Sequence, residues 1–167
     1  RQRQMCIRDS LQMLKGRIHL IKGNHDKITP DMMHYFTSIS GYAEINDKGY
    51  SLILCHYPIM FYNHSYSQHC WMLCGHVHNT RENTWLNEWK GELRDNIYSI
   101  ANNRGNIINV GCMLHDYTPK TIDQLIEWDK SEVWGLANMK IIQGGRGSGK
   151  TYTSVSYTHL TLPTIRL

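Results

Sequence analysis

The stretch that decides the fold is Ile18-His19-Leu20-Ile21-Lys22-Gly23-Asn24-His25-Asp26. Ile18, Leu20 and Ile21 make a short apolar run, the pattern of a strand buried in a layered core. The run passes directly into Gly23-Asn24-His25-Asp26, a loop of polar side chains of the types able to ligate a metal or carry a proton. Upstream, Leu11, Met13 and Leu14 read as the last turn of a helix that stops near Gly16. A strand that delivers the chain to a polar, histidine-bearing loop is how α/β folds gather reactive groups, because loops vary freely over a rigid sheet.

The same junction recurs twice. Residues 42–45 and 50–55, joined at Asn46-Asp47-Lys48-Gly49, read as a hairpin or two consecutive strands, the second ending on His56. Tyr57-Pro58 closes that strand, and a loop rich in His, Asn, Ser and Tyr runs as far as Gln68. Residues 71–74 form a third apolar run and deliver Gly75-His76-Val77-His78. Between these junctions, Thr29-Pro30-Asp31 signals a helix over about residues 30–37, with proline at the first helical position and an acid in the first turn.

From Asn79 onward the period changes. Trp85, Trp89 and Leu93 fall at helical spacing with Leu86 beside them, opposite Arg81, Glu82, Glu88 and Lys90. This predicts an amphipathic helix with Trp85 and Trp89 as core anchors. Residues 102–106 form a turn cluster, residues 107–110 a strand, and residues 121–126 a last helix, apolar at Ile122, Leu125 and Ile126. Strands alternating with helices predict an α/β layered fold. There is no internal repeat or low-complexity tract.

A chain of 167 residues, 41% hydrophobic, is long enough for one sizeable core. No run approaches the roughly 18 apolar residues of a membrane span, and no apolar leader opens the chain, so a cytoplasmic protein is expected. The net charge of +4 sits at the ends: residues 1–10 carry +2 and residues 139–167 carry +4, leaving −2 on residues 11–138. A mildly acidic body gives no footprint for a polyanion, so the charge does not indicate nucleic acid. The five cysteines, odd in number and scattered, point to reduced thiols, with Cys55 and Cys74 packing as small apolar groups. Cys70-x-x-x-Cys74-x-His76-x-His78 lacks the paired C-x-x-C knuckles of a structural zinc cluster and ranks below a reading built on the histidines.

That reading rests on Asn24, His25, Asp26, His56, His76 and His78, whose imidazole nitrogens and amide or carboxylate oxygens suit borderline first-row divalent metals. A His-x-His at a strand end sends two side chains toward one metal or two neighbouring ones. Gly23 and Gly75 let the backbone turn tightly beside them. A lone histidine is more often packed or surface-bound than a ligand; the ordered combination carries the weight. His19, His34, His64, His69 and His115 match no ligand position and read as ordinary surface or packing residues; if any is an exception that contacts substrate it is His64 or His69, whose loop lies between two ligand strands.

In order, Leu20-Ile21-Lys22-Gly23-Asn24-His25-Asp26, Cys55-His56-Tyr57-Pro58-Ile59 and Gly75-His76-Val77-His78-Asn79, with Asn109-Val110-Gly111 downstream, resemble the calcineurin-like metallophosphoesterases. The likeness is greatest to small bacterial and phage-encoded members and covers about residues 11–130. It implies a β-sandwich flanked by helices and a centre of two divalent ions, Mn, Fe, Zn or Ni, that hydrolyses phosphate mono- or diesters. The resemblance gives Asn24, His56 and His76 to one metal and His78 to the other. It makes His25 the group that protonates the leaving oxygen and Asp26 the residue that orients it. In that family D-x-H and G-D-x-x-D motifs precede the Asn-His-Asp loop and supply the bridging aspartate and most of the second metal's ligands. The residues before Asn24 hold neither, so this chain is expected to carry the C-terminal portion of the domain over residues 11–138, to bind metals weakly and to hydrolyse little or nothing. The substrate class stays open.

Two further segments are read separately. Gly144-Gly145-Arg146-Gly147-Ser148-Gly149-Lys150-Thr151 fits G-x-x-x-x-G-K-[ST], with Gly144, Gly149, Lys150 and Thr151 in the phosphate-cradling positions. A P-loop presents amides at a helix start within a full α/β domain. With few residues following, residues 139–154 read as a remnant or a flexible glycine-rich tail, and an NTP-binding protein or fusion is the alternative. Residues 1–10 and 155–167 resemble translated sequencing-adapter sequence of the kind found at the ends of metagenomic gene calls, so neither end is expected to function. A non-catalytic metal-binding module is the remaining alternative.

Overall fold

The computed structural model describes Asp9 and residues 11–95 and 104–138; the P-loop-like segment and nearly all of both chain ends lie outside the described residues. The elements in order are β1 (His19–Ile21), a 3-10 turn (Pro30–Tyr35), β2 (Ser38–Ser40), β3 (Tyr42–Asp47), β4 (Tyr50–Cys55), β5 (Cys70–Cys74), α1 (Arg81–Asp95), β6 (Ile107–Asn109), a second 3-10 turn (Cys112–Leu114) and α2 (Ile122–Asn138). The fold is mixed α/β. Strands β1 and β2 form a parallel pair, and the larger sheet runs β3-β4-β5-β6, antiparallel at its first pairing and parallel at the other two. Among the described residues no helix is long and apolar enough to cross a membrane.

The hairpin follows from its turn. Asp47 pairs with Tyr50, leaving Lys48 and Gly49 as the two loop residues, both with positive φ (48° and 84°). That is the type I′ geometry whose twist matches the flanking strands. Because β4, β5 and β6 run parallel, their C-terminal ends share one edge of the sheet, and His56 and Gly75 both leave from it.

Strand β5 is buried along its whole length, as expected of a central strand covered on both faces. On one face Leu52, Leu54, Trp71, Leu73 and Ile108 pack with Ile122, Leu125 and Ile126 of α2 and with Ile21 of β1. On the other, Ile53, Met72, Cys74 and Ile107 pack with Tyr62, Val77 and Leu86. Ile21 therefore ties the small sheet to the large one, and it lies just before the Gly23 loop.

Three sequence expectations change. The helix placed over residues 30–37 is a six-residue 3-10 turn, with no side-chain cap from Thr29. Residues 38–40 instead pair with β1, and Thr37 N donates to Ile18 O at 2.7 Å, so the backbone groups here are satisfied by a sheet. Helix α2 extends well past residue 126, to Asn138. Helix α1 keeps only half of the expected tryptophan anchoring: Trp89 packs half-buried against the Ile53 and Met72 cluster, whereas Trp85 is 54% exposed, and Leu86 and Lys90 are buried. Trp85 lies under the Arg81 guanidinium, 5.1 Å from ring centroid to carbon. Lys90 is drawn in by charge. Its Nζ bonds Asp129 Oδ1, while Arg94 Nη2 reaches Asp129 Oδ2 at 2.8 Å and Gly105 O at 3.1 Å. A buried lysine is tolerated only with such partners.

Candidate metal centre

Strands β1, β4 and β5 each deliver one polar side chain to a common point. His56 Nε2 lies 2.7 Å from Asn24 Oδ1 and 3.1 Å from His76 Nδ1. The loops are locked together by backbone as well: Gly75 N and His76 N both donate to His56 O, at 3.1 and 2.9 Å. Within the first loop, Asp26 Oδ2 accepts the Gly23 N–H at 2.7 Å, and Asp26 N donates to Gly23 O at 3.3 Å, closing a tight turn that presents Asn24 and His25. Gly23 is required there by space. A Cβ at residue 23 would stand 2.9 Å from His56 Cε1.

The donor geometry fits a first-row cation. His56 Nε2 has one hydrogen at most, yet two electronegative atoms contact it, so Asn24 and His76 cannot both be served by full hydrogen bonds. Neighbouring ligands of an ion bound at about 2.1 Å stand roughly 3 Å apart, close to the 2.7 and 3.1 Å that separate His56 Nε2 from the other two donors. Burial, and then the charge of His76, hold the His56 pKa below its ordinary value, with Asp26 opposing and His78 and His25 adding smaller downward contributions. A neutral imidazole is the ligating form. Among the described residues no three His, Cys, Asp or Glu side chains form a metal cage; this cluster takes its third donor from an asparagine.

Of the expected site residues, Asn24, His56 and His76 meet directly. His25, Asp26 and His78 lie within the electrostatic surroundings of His56. His25 is exposed and Asp26 half-buried. The described contacts of the Asp26 carboxylate run to the loop backbone. His78 adopts a left-handed backbone, φ 47°, held by Asn109 Nδ2, which donates to His78 O.

Two residues gain roles the sequence did not assign. Asn109 also donates from Nδ2 to Asn83 Oδ1 at 2.9 Å and accepts from Gly111 N at 3.0 Å, so it braces the His76–His78 loop from β6. Its carbonyl takes the buried His115 Nε2 at 3.0 Å. Tyr57 packs against both histidines, with ring centroids 4.5 Å from His76 and 5.1 Å from His56. Asn109 and Tyr57 stand inside quoted motifs, so position was the available signal; their contacts were not.

His64 and His69 do not reach this edge. His69 O accepts from Ser51 N, at the start of β4, and the His64 segment is held by Arg104 and Asn106, at the start of β6. These are the opposite ends of the strands from the site, about 13 Å away along five residues of β5 at roughly 3.3 Å per residue. His64 and His69 therefore fall with the ordinary surface and packing histidines rather than as exceptions at the site. Cys70 and Cys74 are likewise separated: Cys70 Sγ bonds Asn63 O and Cys74 Sγ bonds Ile108 O. Burial pushes the Cys74 thiol up to about 12, which keeps it protonated and inert.

Comparison with protein-family models, with curated proteins and with solved structures gives no match to this chain.

Proposed function

We propose that residues 11–138 belong to a metal-dependent phosphoester hydrolase of the calcineurin-like type, a β-sandwich flanked by helices, of which this chain holds the asparagine and histidine side of a two-metal site. The observation that carries the proposal is the meeting of Asn24 Oδ1, His56 Nε2 and His76 Nδ1 at the ends of β1, β4 and β5. These three would hold one ion and His78 the other. When bound, the ions supply Lewis-acid polarisation of the phosphoryl group and an activated water. His25, exposed and adjacent to Asn24, protonates the departing oxygen. Asp26 acts on His25 through the turn it closes with Gly23 N.

The four expected metal ligands are neutral, with no bridging carboxylate among them to offset two dications. This chain alone therefore binds metal weakly and turns over slowly or not at all. The test is Mn²⁺ titration followed by loss of the free-ion EPR signal, with bis(p-nitrophenyl) phosphate hydrolysis measured in parallel. Weak Mn²⁺ uptake that falls about tenfold or more in His56→Ala and in His76→Ala supports the proposal. Uptake indifferent to both substitutions overturns it, as does an upstream coding region that supplies neither D-x-H nor G-D-x-x-D.

A further inference from the structure

We infer that Tyr57 is a specificity-determining residue of this site and selects phosphoesters that carry a planar aromatic group. The inference rests on the functional reading above. Tyr57 is 48% exposed although its ring packs against both histidines of the donor cluster, so a large part of this residue meets solvent beside the donor atoms. Its position is fixed from both sides: it follows His56 directly, and Pro58 restricts its backbone to extended conformations. A phosphoryl group held at Asn24, His56 and His76 would lie on the side chains that Tyr57 packs against, with ring centroids 5.1 Å from His56 and 4.5 Å from His76. A flat substituent on that phosphate would then stack on the phenol, an offset or tilted contact that aromatic rings favour. The acidic body of the chain suits such a small ester better than a polyanion.

Phe61, in the same loop, is 79% exposed but sets its edge against Trp89 of α1, 6.3 Å between centroids, rather than against the donors. It serves as an internal control for nonspecific stickiness.

The experiment measures calorimetric binding of paired probes with Mn²⁺ present: phenyl phosphate against methyl phosphate, and AMP against ribose 5-phosphate. The first pair reads an aryl ester and the second a nucleotide. The expected result is about tenfold tighter binding of the ring-bearing member in at least one pair, the effect of about 1.4 kcal/mol of stacking. That preference collapses toward unity in Tyr57→Ala and persists in Tyr57→Phe and Phe61→Ala. If Tyr57 merely props His76, Tyr57→Ala weakens both members of a pair equally and the ratio stands, which overturns the inference. Equal binding within both pairs, or no binding of any probe, also overturns it. Mn²⁺ uptake is read independently: a ring preference lost in Tyr57→Ala without uptake at His56 and His76 would sink the hydrolase reading and leave the aromatic platform.

Discussion

Gly23 backs onto the imidazole of His56 so closely that a methyl group at residue 23 would stand 2.9 Å from Cε1 and 3.0 Å from Nδ1. The glycine belongs to one strand-end loop and the histidine to another, so this contact sets how near the two loops come. Gly23→Ala is expected to push the ring off Asn24 and His76 while leaving the hydrophobic clusters intact. Mn²⁺ uptake should fall by an order of magnitude or more, with the thermal midpoint lowered only slightly. Uptake equal to that of the unaltered chain would show that the ring has room to spare.

Asp129 holds two cations, Lys90 and Arg94, and both Asp129 and Lys90 are almost wholly buried. Removing the carboxylate strands Lys90 without a partner, since desolvation already lowers its pKa. Asp129→Ala should cost about 3–5 kcal/mol in urea unfolding, whereas the double change Lys90→Met with Asp129→Leu should recover most of it. A double variant as unstable as the single one would mean that the charges themselves, and not their pairing, hold α1 to α2.

Helix α1 supplies a direct comparison of neighbouring residues. Leu86→Ala removes a side chain that is 7% exposed and should cost about 2–5 kcal/mol. Trp85→Ala removes a solvent-facing ring and its contact with Arg81, worth about 0.5–1 kcal/mol. Equal costs in chemical denaturation would mean that Trp85 anchors the helix as much as Leu86 does.

That helix also marks where sequence reasoning stops. Its existence was legible from the 3.6-residue period, but its buried face only in part: Trp89 packs against the core as expected, while Trp85 faces solvent and Lys90 is drawn inward by a carboxylate 39 residues away. The three strand-to-loop junctions were legible because each joins an apolar run to a histidine. Strand β2 was not: Ser38-Ile39-Ser40 has one apolar residue and forms a strand because β1 offers it an edge. The grouping of the donor trio came from the family resemblance, not from spacing. Whether His64 and His69 reach the site was not legible, because their loop crosses to the far ends of the strands and spacing along the chain carries no record of that crossing.

Acid should destabilise the fold from a recognisable starting point. His115 is buried, and burial lowers its pKa from 6.5, against the opposing influence of its hydrogen bond to Asn109 O. The folded chain therefore keeps this imidazole neutral at a pH where the unfolded chain already takes up a proton. Stability is full above about 6.5 and is lost as pH falls below it toward the folded value. Burial shifts His56 in the same direction, so it adds to the slope. His115→Gln should flatten the fall of the thermal midpoint between pH 7 and pH 5 without abolishing it; an unchanged slope would remove His115 from the account.

The central claim is that Asn24, His56 and His76 form one metal-binding point. It is tested most directly by adding Mn²⁺ stepwise and following paramagnetic broadening of the histidine ring protons by NMR, with resonances assigned from single His→Ala variants. The account predicts that His56 and His76 broaden at the lowest Mn²⁺ addition, with His78 close behind, and that His69, at the far end of the strands, broadens last. Broadening that begins at His69, or that spreads evenly over all the histidines, would contradict it.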